Sequence, residues 1–292
     1  FGYTKTELLR EVFMDEEVLD DIIFNLEQKK NIILQGPSGV GKTFIAKRIC
    51  YFHQGNRDNS NIEMVQFHEY YTYEEFVRGY RRGKNGEDYI KNGIFYDFIK
   101  KAQTYPEHKH YFIIDEINRG NLNKIFGELT MLIENNKRGK ENSIKLLYSE
   151  CDESFYIPEN VYIIGTLNTS DNTLKDISYP LRRRFGFIDI DPVFENMDLR
   201  NYLGNYIGVE MTDKVVCKMM YLNKTIEEDS KLGKRYKIGQ SYFMINEKVD
   251  EYQVYSWYRQ VIKRDIEPLI REYMIDKDEE YIDNIIKNLI DD

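Results

Sequence analysis

The chain is short of cysteine, histidine and long apolar runs, and each shortage excludes something. Three cysteines, Cys50, Cys151 and Cys217, lie far apart and are odd in number. That argues against a disulfide framework and for a reducing, cytoplasmic setting. The four histidines lack the spacing of a zinc site; His108 and His110 flank Lys109 in what reads as a polar, solvated loop. No apolar run approaches the ~18 residues needed to cross a bilayer, so no membrane span is expected. Nothing at the start reads as a signal peptide. The chain opens on Phe1 rather than Met, as expected of a piece trimmed from something longer. At a net charge of −9, extensive contact with DNA phosphates is disfavoured, although a local basic patch can still touch DNA.

What is present is a 292-residue chain with 31% charged and 41% hydrophobic residues, enough to bury the core of one large domain and a smaller one. Residues 7–29 read as helical with a break near Asp15. The apolar run at 32–35 reads as a buried strand, and 43–53 as the helix after it. Further strands are expected at 64–67, 111–114, 161–164 and 187–190, with helices at 93–103 and 122–135. Gly83-Lys84-Asn85-Gly86 reads as a hairpin turn, and 137–160 as an inserted hairpin. Beyond Pro192 the pattern turns helical, apart from an irregular stretch at 233–243. Strands alternating with helices predict a parallel α/β sheet. The domains expected are a large nucleotide-binding domain over 1–194 and a helical lid over 195–292.

The richest motif is Gly36-Pro37-Ser38-Gly39-Val40-Gly41-Lys42-Thr43, with Phe44 next. It sits between the strand Ile32-Ile33-Leu34 and a helix, the context of a phosphate-binding loop. Its glycines let backbone N–H groups curl around phosphate oxygens, and the following helix adds its own free N–H groups and dipole. Lys42 can reach the β and γ phosphates, and the Thr43 hydroxyl can ligate Mg²⁺. The bland alternative is a glycine turn with an incidental lysine. Asp115-Glu116 ends an apolar strand, and parallel strands end on one edge of a sheet, so these carboxylates can face the loop. One acid would hold Mg²⁺ through water and the other polarise the attacking water, unless both are a solvated strand end.

Asn168 follows the next buried strand on that same edge, where an amide can orient water or contact the γ-phosphate. Asn168-Thr169-Ser170-Asp171 also has an N-x-x-D spacing used to read guanine, but phosphate sensing fits its place on the sheet edge better. Leu181-Arg182-Arg183-Arg184-Phe185 puts three arginines before a strand, suited to developing phosphate charge, or else simply solvated. Tyr70-Tyr71-Thr72-Tyr73 invites stacking on nucleic acid; packing is the preferred reading.

Taken in order, these pieces resemble the AAA+ NTPases, and more closely the McrB family, the GTP-hydrolysing subunit of modification-dependent restriction systems. The resemblance runs through residues 30–37 into the glycine loop, then Val65-Gln66-Phe67-His68, 73–80, Asn92-Gly93-Ile94-Phe95 and Ile114–Arg119. It continues in Ile164–Asp171, which is similar to the family's M-N-T-A-D signature, and in 238–243 and 266–273 of the lid. It implies a parallel sheet sandwiched by helices and followed by a helical lid, with GTP, or ATP, as substrate and Mg²⁺ as cofactor. By the same resemblance Lys42 and Thr43 bind phosphate and Mg²⁺, Asp115 supports the ion, Glu116 positions the catalytic water, and Asn168 is the first sensor with Asp171 completing the signature. Arg183 and Arg184 would reach a neighbouring subunit's nucleotide, which requires a homo-oligomeric ring, usually a hexamer. A McrC-like nuclease is the implied partner, with modified DNA read by a separate N-terminal domain absent from this chain. Four positions depart from the family's habit: Leu167, Ser170, Asn172 (often Arg) and, in the lid, Gln240 (often His). The purine pocket would draw on residues before the loop, such as Phe13 and Met14, and on the lid.

Overall fold

Five of the apolar runs become strands of one sheet. The structure, a computed structural model, describes residues 2–149, 153–171 and 177–291; Cys151 and Asn172 lie outside the described residues. The chain divides into two units. The first holds Phe1–Leu8, Glu16–Gln35 and Thr43–Asp189; the second holds Leu9–Asp15, Gly36–Lys42 and Ile190–Asp292.

In chain order the strands are β1 (Asn31–Gly36), β2 (Ile62–Gln66), β3 (Arg78–Arg82), β4 (Asp88–Asn92), β5 (His110–Asp115), β6 (Val161–Asn168) and β7 (Gly186–Asp189). The main sheet runs β2-β5-β6-β1-β7. β5 pairs in parallel with both β2 and β6, so Ile113 lies between Met64 and Ile164, and β1 pairs in parallel with β7. The interior strands are apolar without alternation because both faces are covered: Ile32, Ile33 and Leu34 of β1, residues 110–114 of β5 and 161–167 of β6 are all buried. β2, at the edge, is only half-buried. The core of this unit joins Ile33, Phe112, Ile114 and Ile163 to Phe76, Phe95, Phe98 and Phe126. Phe76 stacks on Phe95 at a centroid separation of 4.6 Å.

The expected turn at Gly83–Gly86 joins β3 to β4, which pair antiparallel from Arg78↔Asn92 to Arg82↔Asp88. A helix follows at Ile94–Thr104. The single helix expected at 122–135 is instead two short ones, Leu122–Phe126 and Leu129–Leu132. Gly127, at φ 49°, breaks it between them, while the apolar residues on both sides stay buried. In 137–160, Ile144 and Phe155 form an isolated antiparallel bridge. 3₁₀ turns at Asn135–Lys137 and Lys140–Asn142 precede it.

His110 corrects the reading of a solvated loop. β5 starts at this residue and turns its ring inward, fully buried, edge-on to Phe98. Burial pushes its pKa down and keeps the imidazole neutral; His108 is exposed. Among the tyrosines, Tyr71 packs on Phe67 at 4.8 Å and Tyr73 donates its hydroxyl to Glu128 at 2.7 Å, whereas Tyr70 is exposed.

The second unit is helical. Its helices are Met197–Ile207, Val209–Glu228, Val254–Val261, Glu267–Tyr273 and Glu279–Ile290, with a π turn over Ile262–Ile266. Asn196 caps the first of these through bonds to the N–H groups of Asp198 and Leu199. Their apolar stripes meet in a core that includes Leu203, Met219, Leu222, Tyr258, Ile262 and Ile286. Phe13 belongs to this core. It is buried against Tyr202 in a left-handed backbone conformation, φ 55°, and Met14 is buried beside it in sequence.

Candidate nucleotide-phosphate site

Chain continuity builds the start of the site. β1 ends at Gly36, and the helix Lys42–Gln54 begins after a five-residue turn. Gly39 and Gly41 adopt φ +80° and +85°, a region that residues with a Cβ rarely enter. Turns of this kind are the ones whose successive N–H groups can face one anion. Lys42 Nζ donates to the carbonyls of Gly36 at 2.9 Å and Pro37 at 2.7 Å, which holds its charge against the loop. Phe44 is partly exposed, with the Arg48 guanidinium 3.7 Å above its ring.

Within the first unit, one carboxylate oxygen gathers two hydroxyls. Thr43 Oγ1 and Thr166 Oγ1 each donate to Asp115 Oδ1 at 2.6 Å. Thr166 has a second task, since its hydroxyl oxygen accepts the Glu116 N–H at 3.1 Å. That bond anchors an unusual backbone: Glu116 sits at φ 51°, ψ 46°, a left-handed conformation adopted by just two other non-glycine residues among those described. Such strain gathers at functional sites, where surrounding bonds enforce it. The turn lets Asp115 and Glu116, adjacent in sequence, take different partners. Glu116 Oε2 accepts from Gln66 Nε2 at 3.0 Å and pairs with Arg119 Nε at 2.9 Å. Arg119 also reaches Asp171 Oδ2 at 3.4 Å, so it ties the candidate water-polarising acid to the end of the signature stretch.

Asn168 ends β6. Its Oδ1 accepts from the Ser170 N–H at 3.3 Å and the Ser170 hydroxyl at 2.9 Å. The carbonyl end of the amide is thereby occupied by Ser170.

The two candidate finger arginines separate. Arg183 is exposed. Arg184 has a side chain 8% exposed and pairs with Glu134 at 3.2 Å; its NH1 also donates to the Pro180 carbonyl. The Arg184 carbonyl in turn accepts from Asn31 Nδ2 at 3.1 Å, and Asn31 Oδ1 accepts from the fully buried Arg138 at 2.8 Å. Burial holds the Arg138 guanidinium down to about 9. Arg184 is thus built into the wall of the turn that presents Arg183.

The sequence reading thus missed Thr166, Arg119, Gln66 and Glu134. Thr166 left a signal: it is a polar residue inside the apolar run Val161–Leu167, and strand alternation puts it on the same side as Asn168. Gln240, the departure in the lid motif, is buried within the second unit. Its Nε2 donates to the Val40 carbonyl at 3.2 Å and its Oε1 accepts the Val193 N–H at 3.4 Å, so the amide supplies a donor and an acceptor at once.

A glycine loop between strand and helix, with a strand-end Asp-Glu pair beside the helix threonine, defines a P-loop NTPase fold of the AAA+ class. Residues 31–185 match the AAA domain (dynein-related subfamily), and residues 215–282 match the McrB alpha-helical lid domain. The chain belongs to the McrB family of AAA+ proteins. It is 46% identical over 279 residues to the type IV methyl-directed restriction enzyme EcoKMcrB subunit of Escherichia coli K12, covering 94% of this chain and 60% of that protein. It is 26% identical over 223 residues to the type II restriction enzyme BsuMI component YdiS of Bacillus subtilis 168, covering 57% of this chain and 63% of that protein. The chain therefore spans about 60% of the length of the curated relatives it matches. Among the described residues no helix is long and apolar enough to cross a membrane.

Proposed function

We propose that this chain is the motor part of a restriction system: an Mg²⁺-dependent nucleoside triphosphatase, using GTP in preference to ATP. It assembles as a homo-oligomeric ring, a hexamer, and drives DNA translocation and cleavage with a McrC-like nuclease against modified foreign DNA. The observation that carries the catalytic part is the cluster of Thr43, Thr166 and Asp115, two hydroxyls on one carboxylate oxygen at 2.6 Å, with Glu116 next in sequence. Oxygen donors with a single carboxylate suit Mg²⁺, which keeps its waters and takes phosphate oxygens as further ligands. Thr43 and Asp115 would hold the ion, the latter through water, and the ion would neutralise charge on the phosphates.

In this reading the residues Gly36–Thr43 bind the phosphate chain, Lys42 adds its point charge, and Phe44 lies at the nucleotide side of the helix. Glu116 orients water for attack once its contacts with Gln66 and Arg119 are exchanged. Asn168 senses the γ-phosphate and Asp171 positions Arg119. Arg183 is the finger that reaches the neighbouring protomer's nucleotide, with Arg184 as its support. Phosphoryl transfer then proceeds by positioning and charge stabilisation. The names of the two relatives, both restriction enzyme components, support the biological setting, and the match to EcoKMcrB supports the nuclease partner.

The test is steady-state hydrolysis of GTP and ATP side by side, with native mass measured under each nucleotide. GTP turnover with ring-sized mass supports the reading; faster ATP turnover reverses the base preference. Assembly with negligible turnover, even with a nuclease partner added, would leave a nucleotide-gated scaffold. Lys42→Ala is expected to abolish tight nucleotide binding, and unchanged affinity would remove the P-loop assignment. Arg183→Ala should bind nucleotide but turn over slowly, and mixing it with Glu116→Gln protomers should restore part of the activity. No rescue at any ratio would argue against a shared site.

A further inference from the structure

The outer side of the glycine loop, within the second unit, is fully engaged by one short segment. The Gly239 N–H donates to the Ser38 carbonyl at 2.8 Å, and the Ser241 N–H to the Gly39 carbonyl at 2.9 Å. Gln240 Nε2 donates to the Val40 carbonyl at 3.2 Å. The hydroxyls of Ser38 and Tyr242 bond to each other at 2.7 Å. Three consecutive loop carbonyls are therefore held by three consecutive residues. The fit leaves no room: a Cβ on Gly239 would lie 2.1 Å from the Gly39 carbonyl carbon, and one on Gly39 would lie 2.5 Å from the Tyr242 ring.

A trans peptide is planar, with its C=O and the next residue's N–H pointing in opposite directions. Fixing the carbonyls of Ser38, Gly39 and Val40 therefore aims the N–H groups of Gly39, Val40 and Gly41 away from residues 239–242. Those are the donors a phosphate chain would meet. An anion-binding loop loses affinity when its donors must be ordered on binding, and gains it when they are ordered beforehand.

We infer that Gly239–Tyr242 is a positioning element for the phosphate chain of the bound nucleotide: it pre-aligns three loop donors through their carbonyls without touching the ligand. This rests on the P-loop reading above. Tyr242 and Gln240 are positioning residues, and they act on affinity rather than on the chemical step.

The test uses the whole chain with GTP and ATP as probes in the presence of Mg²⁺. Tyr242→Phe keeps the ring and removes only the hydroxyl. It is expected to raise Kd and KM by roughly three- to tenfold, the worth of one hydrogen bond, while kcat at saturation changes less than about twofold. Ser38→Ala should have a similar effect, and the double variant should be no worse than either single one. Gln240→Leu should weaken binding further; if it fails to fold, the Ser38 and Tyr242 cycle still decides. Wild-type affinity in Tyr242→Phe and Ser38→Ala, with Lys42→Ala unable to bind, would overturn the proposal and leave the P-loop reading intact. Unchanged binding in Lys42→Ala would overturn both. A fall in kcat with KM unmoved would also overturn it, since pre-alignment for binding predicts the reverse split.

Discussion

Thr166→Val is the substitution most sharply predicted by the geometry. Valine keeps the shape of threonine and replaces one hydroxyl by a methyl. Thr166 is buried, so water cannot take over its bonds. The donated bond goes to a carboxylate, and such charge-assisted bonds contribute about 1.5–3 kcal/mol. The accepted bond satisfies the Glu116 N–H, and leaving a buried donor unpaired costs about 1–3 kcal/mol. Asp115 keeps Thr43 as a donor, which limits the first loss. A combined cost of about 3 kcal/mol follows, equivalent to a fall in Tm of roughly 6–12 °C for a unit of this size. Turnover should fall with it, because the left-handed turn at Glu116 loses its anchor. Thermal unfolding followed by circular dichroism reads the first effect and NTP hydrolysis the second, with Thr166→Ser as the control that keeps both bonds. A Tm within about 2 °C of wild type together with wild-type turnover would refute the role given to Thr166.

The adjacent arginines should separate in a stability assay: Arg184→Ala breaks the bond to the Pro180 carbonyl and the pair with Glu134, for a loss of about 1–3 kcal/mol. Arg183→Ala should leave Tm unchanged, and equal losses in the two would remove the distinction. Glu27 gives a pH signature. Burial alone would raise its carboxyl, but hydrogen bonds from His53 and Lys109 outweigh that and hold it at about 2, below the ordinary 4.5. A folded pKa below the unfolded one stabilises fully above the unfolded value and is lost as pH falls toward the folded value. The Tm gap between wild type and Glu27→Gln should therefore be steady from pH 7 to 5 and narrow between 4.5 and 2; a gap that widens on acidification would contradict it.

The parallel sheet was legible because its inner strands are buried on both faces and so are uniformly apolar in sequence. The meeting of Asp115 with Thr43 was legible because that fold places strand ends on one edge. What escaped was set by contacts distant in sequence or by single backbone angles. The periodicity of Leu122 to Ile133 runs straight through Gly127, so the break at φ 49° left no mark on the apolar pattern. His110 was hidden by its polar neighbours, although it is the first residue of β5. Arg183 and Arg184 are chemically identical, and what tells them apart is the partners of Arg184: the Pro180 carbonyl and Glu134, fifty positions away. The grouping of Gly36–Lys42 with the lid residues depends on partners such as Gln240, two hundred positions along the chain.

The left-handed turn at Glu116 also bears on how this chain would change under selection. A side chain with a Cβ costs about 1–2 kcal/mol in that conformation, and glycine or asparagine costs less. A screen for thermal stability with no activity filter should therefore drift toward Gly or Asn at position 116, and lose the carboxylate to which the proposed function assigns the attacking water. Glu116→Gln keeps the backbone cost and removes only the charge, so on the proposed role of Glu116 it separates chemistry from folding. Glu116→Asn alters both, and comparing their melting temperatures would measure how much stability this one position gives up to keep its carboxylate.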